Sequence, residues 1–521
     1  MKTLYTGGTI LTMEDRRPYA EALLTEEGRI LAVGDARQLD GTDVRQVDLC
    51  GGTLMPAFID PHGHLSSVAN GMLEVDLAGC ASWADIAGRI RRHIEENQVP
   101  EGAWVRASGY DHNALAEKRH PPLALLDDAA GRRPLMVTHQ SGHMGLFNSA
   151  ALEALHVTAA TPAPEGGRIG LEAGHLTGYM EENAFLHYQR QAPMPEMAAL
   201  IGAYRRAERY YRQHGIVTVQ DGMVVEQLLP VYRALREAGM PRHIRVAAYA
   251  GAADWDAWAA AFPGSVDQWH GGLRLAGMKI FLDGSPQGRT AWMRTPYAGE
   301  AEYAGYPAMA DEAVTEVMRR CAERGIQLLV HCNGDAAAAQ MLRCARQVQA
   351  ETRRLSATRP VMIHAQLLGL DQMPELKALG IIPSFFPAHI YHWGDIHRQN
   401  FGEDRAAHIS PAGTALRCGL PFTFHQDTPV LPPDIPETLW CAVCRQTAEG
   451  VTLARAEEGV PIWDALKAVT VHAAYAYFEE AEAGVLAPGK RADLVLLDRD
   501  PLRTAPERLR DIRVLETFRG Q

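Results

Sequence analysis

Nowhere in these 521 residues is there an uninterrupted apolar run long enough to cross a bilayer as a helix, so contact with a membrane is not expected. Cysteine is scarce and dispersed. Eight residues spread over the whole length do not make a disulfide framework and point to free thiols in a reducing compartment. Cys441 and Cys444 form a lone C-x-x-C with no second pair, which reads as chance placement. Positive charge is in deficit: Lys and Arg number 51 against 63 Asp and Glu, a formal net charge of −12 with no block of like charges. That excludes a nucleic-acid partner, which needs a basic stripe to displace counterions. Met1-Lys2-Thr3-Leu4-Tyr5-Thr6-Gly7-Gly8 runs straight into a turn with no apolar h-region behind it, so no secretory signal is expected and the expected location is cytoplasmic. No G-x-S-x-G elbow, internal repeat or low-complexity tract occurs.

What is present is the balance of a globular chain, 47% hydrophobic and 22% charged, in a length that suits a large domain plus a smaller module. Short apolar runs alternate with helical patterns, the signature of βαβ units and a parallel sheet. Barrel strands are expected near 54–62, 215–221, 244–250, 273–281, 326–332, 360–365, 380–386 and 421–427. The gap between the first two is far too long for one helix. The expected fold is therefore α/β: a (β/α)8 TIM-type barrel over 56–469, with an inserted subdomain at about 66–195 after the first barrel strand. Both chain ends, 1–55 and 470–521, carry strand formers between glycines and are expected to build one small β-sandwich domain.

The chemistry lies at the strand ends. Pro56-Ala57-Phe58-Ile59-Asp60-Pro61-His62-Gly63-His64 closes the first strand, and residues two apart on a strand point the same way, so His62 and His64 present both imidazoles to one side. An H-x-H pair alone is weak, because chance pairs are common. Yet His331 ends Gln327-Leu328-Leu329-Val330-His331, His364 ends Pro360-Val361-Met362-Ile363-His364, and Asp427 ends Pro421-Phe422-Thr423-Phe424-His425-Gln426-Asp427. In a (β/α)8 barrel these ends converge on one face, where the active site of this fold sits. Imidazoles and a carboxylate in that register suit zinc.

On these residues the chain resembles the amidohydrolase superfamily, YtcJ-like branch (amidohydrolase family 3). Further carriers are Met278-Lys279-Ile280-Phe281-Leu282-Asp283-Gly284-Ser285, Val330-His331-Cys332-Asn333-Gly334-Asp335, Gln426-Asp427-Thr428-Pro429-Val430, Ser141-Gly142-His143, and the tail from Gly489 to Asp498. The resemblance implies that His62, His64 and Asp427 hold a more buried Zn2+. It implies that His331 and His364 hold a second metal, and that carboxylated Lys279 bridges the two. An anionic bridge offsets the repulsion between two dications, which an ordinary lysine cation would worsen. The site is then expected to hold one or two Zn2+, or another divalent metal. In one respect the chain departs from the resemblance: His425-Gln426 stand where a small pair usually precedes the aspartate. From sequence alone His425 has three open roles: metal ligand, substrate contact or packing.

The expected reaction is hydrolysis of a carbon–nitrogen bond in a small amide, N-substituted formamides included. Asp427 takes a proton from metal-activated water and returns it to the departing nitrogen. His143 is expected to donate to the carbonyl or oxyanion, and Asp283, Arg289, His389 and Trp393 to line the substrate pocket. The alternatives are cyclic amide hydrolysis or heterocycle deamination and, in another class, a catalytically silent binding or regulatory barrel. The expected partner is the small-molecule amide substrate, and a homodimer is the default assembly.

Overall fold

Eight short apolar segments lie side by side, each parallel to its neighbour and all in chain order. This is seen in a computed structural model that describes residues 2–39, 44–164, 166–193 and 195–520. The strands are β1 (Phe58–Ile59), β2 (Ile216–Val224), β3 (Arg245–Gly251), β4 (Leu273–Phe281), β5 (Gln327–Cys332), β6 (Val361–His364), β7 (Ile382–Phe385) and β8 (Thr423–Phe424). Every residue of β3, β6 and β7 is buried. That is why these stretches read as continuous apolar runs rather than alternating ones: a parallel sheet of this kind is covered on both faces. The curled sheet and its helices make a TIM-like α/β fold.

The crossover helices show why they form and where they stop. Asp311–Arg324 carries Asp311 and Glu312 in its first turn and Arg324 in its last, the signs the helix dipole favours. It buries Val314, Val317, Met318, Cys321 and Ala322 on one face, and it ends at Gly325, whose φ of 69° is the left-handed conformation a helix C-cap requires. Within the barrel unit, Ile59, Ala247, Tyr249, Ala276, Leu329, Val361, Ile363 and Ile382 pack with Ala473, Ala474, Ala476 and Tyr477.

Two boundaries differ from expectation. The extended run near 54–62 serves two sheets: Thr53–Pro56 pairs with Thr9–Leu11 and Leu494–Leu497, whereas β1 pairs with β2. The partner changes at Ala57, whose N–H goes to Asp493 while that of Phe58 goes to Gly215. The C-terminal contribution to the end-built sheets also starts later than residue 470. Val471–Ala476 is a helix whose alanines join the barrel core. The strands that follow, Leu494–Leu497 and Val514–Phe518, complete a five-stranded sheet with segments 53–56, 9–11 and 19–20. A four-stranded sheet is made of Arg29–Gly34, Ala22–Glu26, Lys2–Thr6 and Val44–Asp48. One hydrophobic cluster takes Tyr5, Leu23 and Ile30 from the latter and Ile10, Leu54 and Leu494 from the former.

Residues 67–206 form a second compact unit, distinct from 1–66 with 207–521. It has its own six-stranded sheet, in the order 167–172, 175–182, 144–147, 135–139, 105–110 and 74–76, and its own hydrophobic clusters. Among the described residues no helix is long and apolar enough to cross a membrane.

A buried ion pair ties β3 to the tail. Arg245 donates to both oxygens of Asp493 at 2.7 and 3.3 Å, and Gly520 N–H caps the same carboxylate at 3.0 Å. Removing one partner strands the other charge away from water. Asp493→Ala is therefore expected to lower stability by about 3–5 kcal/mol, measured by urea unfolding; a loss under about 1 kcal/mol would mean the pair does not join tail to barrel.

Candidate metal centre

Past β1 the chain turns through Asp60-Pro61-His62-Gly63-His64. Asp60 is fully buried and accepts the His62 N–H at 3.2 Å. Gly63 is required here, because a Cβ would lie 2.6 Å from an Asp60 oxygen. His62 Nδ1 sits 2.6 Å from Gln220 Oε1 at the upper part of β2. The amide of Gln220 cannot be flipped, because its nitrogen donates to Pro61 O at 2.7 Å and to Tyr477 Oη at 3.0 Å, and Tyr477 in turn donates to Asp60 O. His62 Nδ1 therefore carries the hydrogen, and Nε2 is left with a lone pair.

That lone pair faces Asp427. Oδ1 of Asp427 is 3.4 Å from His62 Nε2 and 3.2 Å from His64 Nε2, and Oδ2 is 3.9 Å from His364 Nε2. Donor atoms of His62, His364 and Asp427 all lie within 4.8 Å of one another. The His331 ring is 4.6 Å from that of His364. The loops after the first and last strands are joined by the His64 N–H bond to Thr428 O, 2.8 Å, so the mouth is closed where β1 meets β8. His364 and Asp427 have φ of 70° and 53°, left-handed values for non-glycine residues. Each costs about 1–2 kcal/mol, strain of the sort that persists where surroundings over-determine a site.

Burial sets the charges. It holds His62 and His364 well below the usual imidazole range, so both are neutral donors. It also lowers Lys279 to about 7, against the opposing pull of Asp427. Asp427 is held well below the usual carboxylate range: burial acts upward, and the His64 ring 3.2 Å away opposes it. Burial raises Asp60 to about 7, with Asp427 adding to the rise. Lys279 Nζ, His331 Nδ1 and Asp427 Oδ1 are buried without a hydrogen-bond partner. A carboxylate oxygen and an imidazole lone pair at 3.4 Å, beside further unsatisfied polar atoms, fit a divalent cation.

The remaining expected residues are placed variously. Asp283 is buried and spends its oxygens on the backbone N–H groups of Asn333, Gly334 and Trp292, at 2.9, 2.7 and 3.0 Å, which pins the loop after β5. Arg289 pairs with Glu300 at 2.9 Å. Buried His389 and half-buried Trp393 are tilted against each other with ring centroids 4.5 Å apart near Phe386, and His389 Nδ1 meets His397 Nε2 at 3.1 Å. His143 lies in the 67–206 unit, exposed and 3.2 Å from Glu182. Cys332 is buried and its thiol pushed well up by burial, so it stays protonated. Gln220, Tyr477, Ser384 and His397 were not foreseen. The only trace of Gln220 and Ser384 in the sequence is a polar residue inside an apolar strand.

A second group, Asp111, His112 and His139, belongs to the 67–206 unit. There the Ser141 N–H donates to His139 Nδ1 at 3.1 Å, which puts the ring hydrogen on Nε2, 3.2 Å from His112 and 3.5 Å from Asp111. That network is satisfied without an ion.

Burial lowers His397 to about 4 and His425 to about 3. Both are neutral in the fold, and below about pH 6.5 unfolding lets them take up protons. Stability from this source is complete above that pH. It falls on acidification by about 1.4 kcal/mol per pH unit for each ring until the folded value is reached. In metal-free protein His397→Gln is expected to flatten the pH dependence of the urea midpoint between about pH 6 and 4.5 by about one proton's worth. Parallel curves for parent and variant would refute a buried neutral His397.

The family model described as "Amidohydrolase family" matches residues 45–520. The chain is 28% identical to the N-substituted formamide deformylase of Arthrobacter pascens over 98% of this chain and 96% of that one. It is 26% identical to the YtcJ protein of Bacillus subtilis (strain 168), over 99% and 98%. Among solved structures it is similar in fold to an uncharacterized metal-dependent hydrolase from Pyrococcus horikoshii, with a TM-score of 0.77, 24% identity and 97% and 99% coverage.

Proposed function

The chain belongs to the amidohydrolase family, in its YtcJ-like branch, and from that premise we propose that it uses a divalent metal to hydrolyse the carbon–nitrogen bond of a small N-substituted formamide or related amide. The observation that carries this reading is the convergence at the barrel mouth: Asp427 Oδ1 lies 3.4 and 3.2 Å from the imidazole nitrogens of His62 and His64 with no hydrogen-bond partner of its own. The choice of substrate class is supported by the formamide deformylase relative, which the chain matches over 98% of its length. Residues 67–206 serve in this proposal as the inserted subdomain, and the two end-built sheets as the sandwich.

His62, His64 and Asp427 would hold one Zn2+. His331 and His364 would hold a second, with Lys279 as bridge. Zinc bound there supplies Lewis acidity, lowering the pKa of water and polarising the substrate carbonyl. The chain's own groups do the rest. Asp427, kept ionised, accepts a proton from the attacking water at a carboxylate oxygen and passes it to the leaving amine nitrogen. Lys279, lowered to about 7, holds much of its population as free amine near neutrality. Its Nζ lone pair can add to carbon dioxide with loss of one proton, which turns the neutral amine into a carbamate anion where the donor set needs negative charge. Gln220 keeps the lone pair of His62 directed at the site. His389 and Trp393 would flank the substrate.

The test is a panel of N-substituted formamides, cyclic amides and aminated heterocycles, with formate, ring-opened acid and ammonia as readouts. Formate with the matching amine is expected. Ammonia from heterocycles alone would overturn the amide reading in favour of deamination. Asp427→Asn is expected to keep the fold and lower kcat by about 10³-fold or more; turnover within a few fold of the parent would remove Asp427 from proton transfer.

A further inference from the structure

His425 is fully buried two strands away from His364, with β7 between them, and both its ring nitrogens are engaged. Nε2 meets His364 Nδ1 at 3.1 Å, and Nδ1 meets Ser384 Oγ at 2.8 Å. The ring is set edge-on to His62, with centroids 5.2 Å apart, and tilted against Phe386 at the same separation. The backbone is held as well, because the His425 N–H donates to Phe385 O at 3.1 Å, continuing the β7–β8 pairing. With neither nitrogen free, His425 is not a third imidazole facing the mouth. Its geometry serves the neighbouring ring instead.

We propose that His425, backed by Ser384, is a positioning residue that fixes the tautomer and ring orientation of His364. The proposal rests on the reading of His364 as a metal ligand. His364 can offer a lone pair at Nε2, the nitrogen that faces Asp427 at 3.9 Å, only if its hydrogen sits on Nδ1. Buried as it is, an Nδ1–H needs an acceptor, and the one in reach is His425 Nε2. For that nitrogen to accept, the hydrogen of His425 must sit on its Nδ1, where Ser384 Oγ accepts it. Without the ring at 425 the favoured tautomer of His364 becomes Nε2–H, directed at Asp427 and incompatible with a metal. His62 is served in the same way by the Gln220 carboxamide. His425, in the pair where the chain departs from the usual small residues, thus supplies the support of its own ligand set.

The test compares full-length His425→Phe, which keeps the ring but neither nitrogen, with His425→Gln, whose amide oxygen can reach the position of Nε2. Zn2+ affinity is measured by chelator competition, the Co2+ derivative by its visible absorption, and the metal-free fold by thermal melting. His425→Phe is expected to lose about 10–100-fold in affinity with a changed cobalt spectrum, the cost typical of removing a partner of a metal-bound histidine. His425→Gln is expected to recover most of that. Zn2+ bound by His425→Phe within about threefold of the parent overturns the proposal, and so does an equal loss in both variants, which would reduce His425 to packing. If His425→Phe does not fold, Ser384→Ala decides. A weakened site with unchanged melting supports the relay, and unchanged affinity overturns it. A parent chain that takes up neither Zn2+ nor Co2+ would instead sink the reading of the metal centre itself.

Discussion

Asp427 Oδ1 confronts His62 Nε2 at 3.4 Å, and the Gln220 contact leaves that nitrogen without a hydrogen to place between them. Electron-rich atoms held that close in a buried mouth repel unless positive charge lies between them. The local structure works to maintain this arrangement rather than relieve it. Two of the participating residues sit in left-handed backbone conformations. Relaxing either would swing its side chain out of the cluster and recover local energy, so the surrounding hydrogen bonds must hold both in place. The Thr428 O bond from His64 and the Ala365 N–H bond to Cys332 O do so at 2.8 and 2.9 Å.

The barrel makes such a convergence possible because its strands run parallel in chain order, so residues hundreds apart in sequence end at one mouth. The price is a fold of long-range contacts whose last strand barely pairs: β8 is two residues long and meets β7 through only Thr423 and Phe424. Asp427 lies three residues beyond that short strand. Its position depends on the turn that follows, and the His425 side chain between Ser384 and His364 is part of what keeps that turn in register. On the far side, the Arg245–Asp493 pair at 2.7 Å fastens the start of β3 to the sheet built from the chain ends.

How much of this could be read from sequence follows from how many signals each residue carries. His62, His64, His331, His364 and Asp427 were legible because residue type and strand-end position agree. The barrel strands were legible because full burial makes them continuous apolar runs. Asp283 shows the limit of that reasoning: a strand-end position gives a place but not a contact, and Asp283 accepts backbone N–H groups of Asn333, Gly334 and Trp292 while one of its oxygens stands 3.4 Å from His331 Nδ1. Gln220 and Ser384 carry one signal each, a polar side chain among apolar neighbours, and His397, in the polar run Asp395-Ile396-His397-Arg398-Gln399-Asn400, carries none. Their partners His62, His425 and His389 lie 158, 41 and 8 residues away, and the two longer separations show no local pattern. The run near 54–62 was read as one strand because nothing in residue type marks Ala57 as the point where the chain changes sheets.

The groups that support His62 and His364 are neutral, and this follows from charge, while at His331 a carboxylate oxygen of Asp283 stands 3.4 Å from Nδ1. A carboxylate is a common partner for a metal-bound histidine, yet here His62 rests on a carboxamide and His364 on an imidazole. A carboxylate at either place would stand within a few ångströms of Asp427 in a poorly solvated mouth, where like charges are costly. Asp60 is already lifted to about 7 by burial with Asp427 adding to the rise. Neutral partners fix tautomers without adding negative charge, so Asp427 keeps its ionised form and its capacity to accept a proton. The remaining charge can then be adjusted at Lys279, which burial brings to about 7 and which can change from cation to amine to carbamate as the donor set requires.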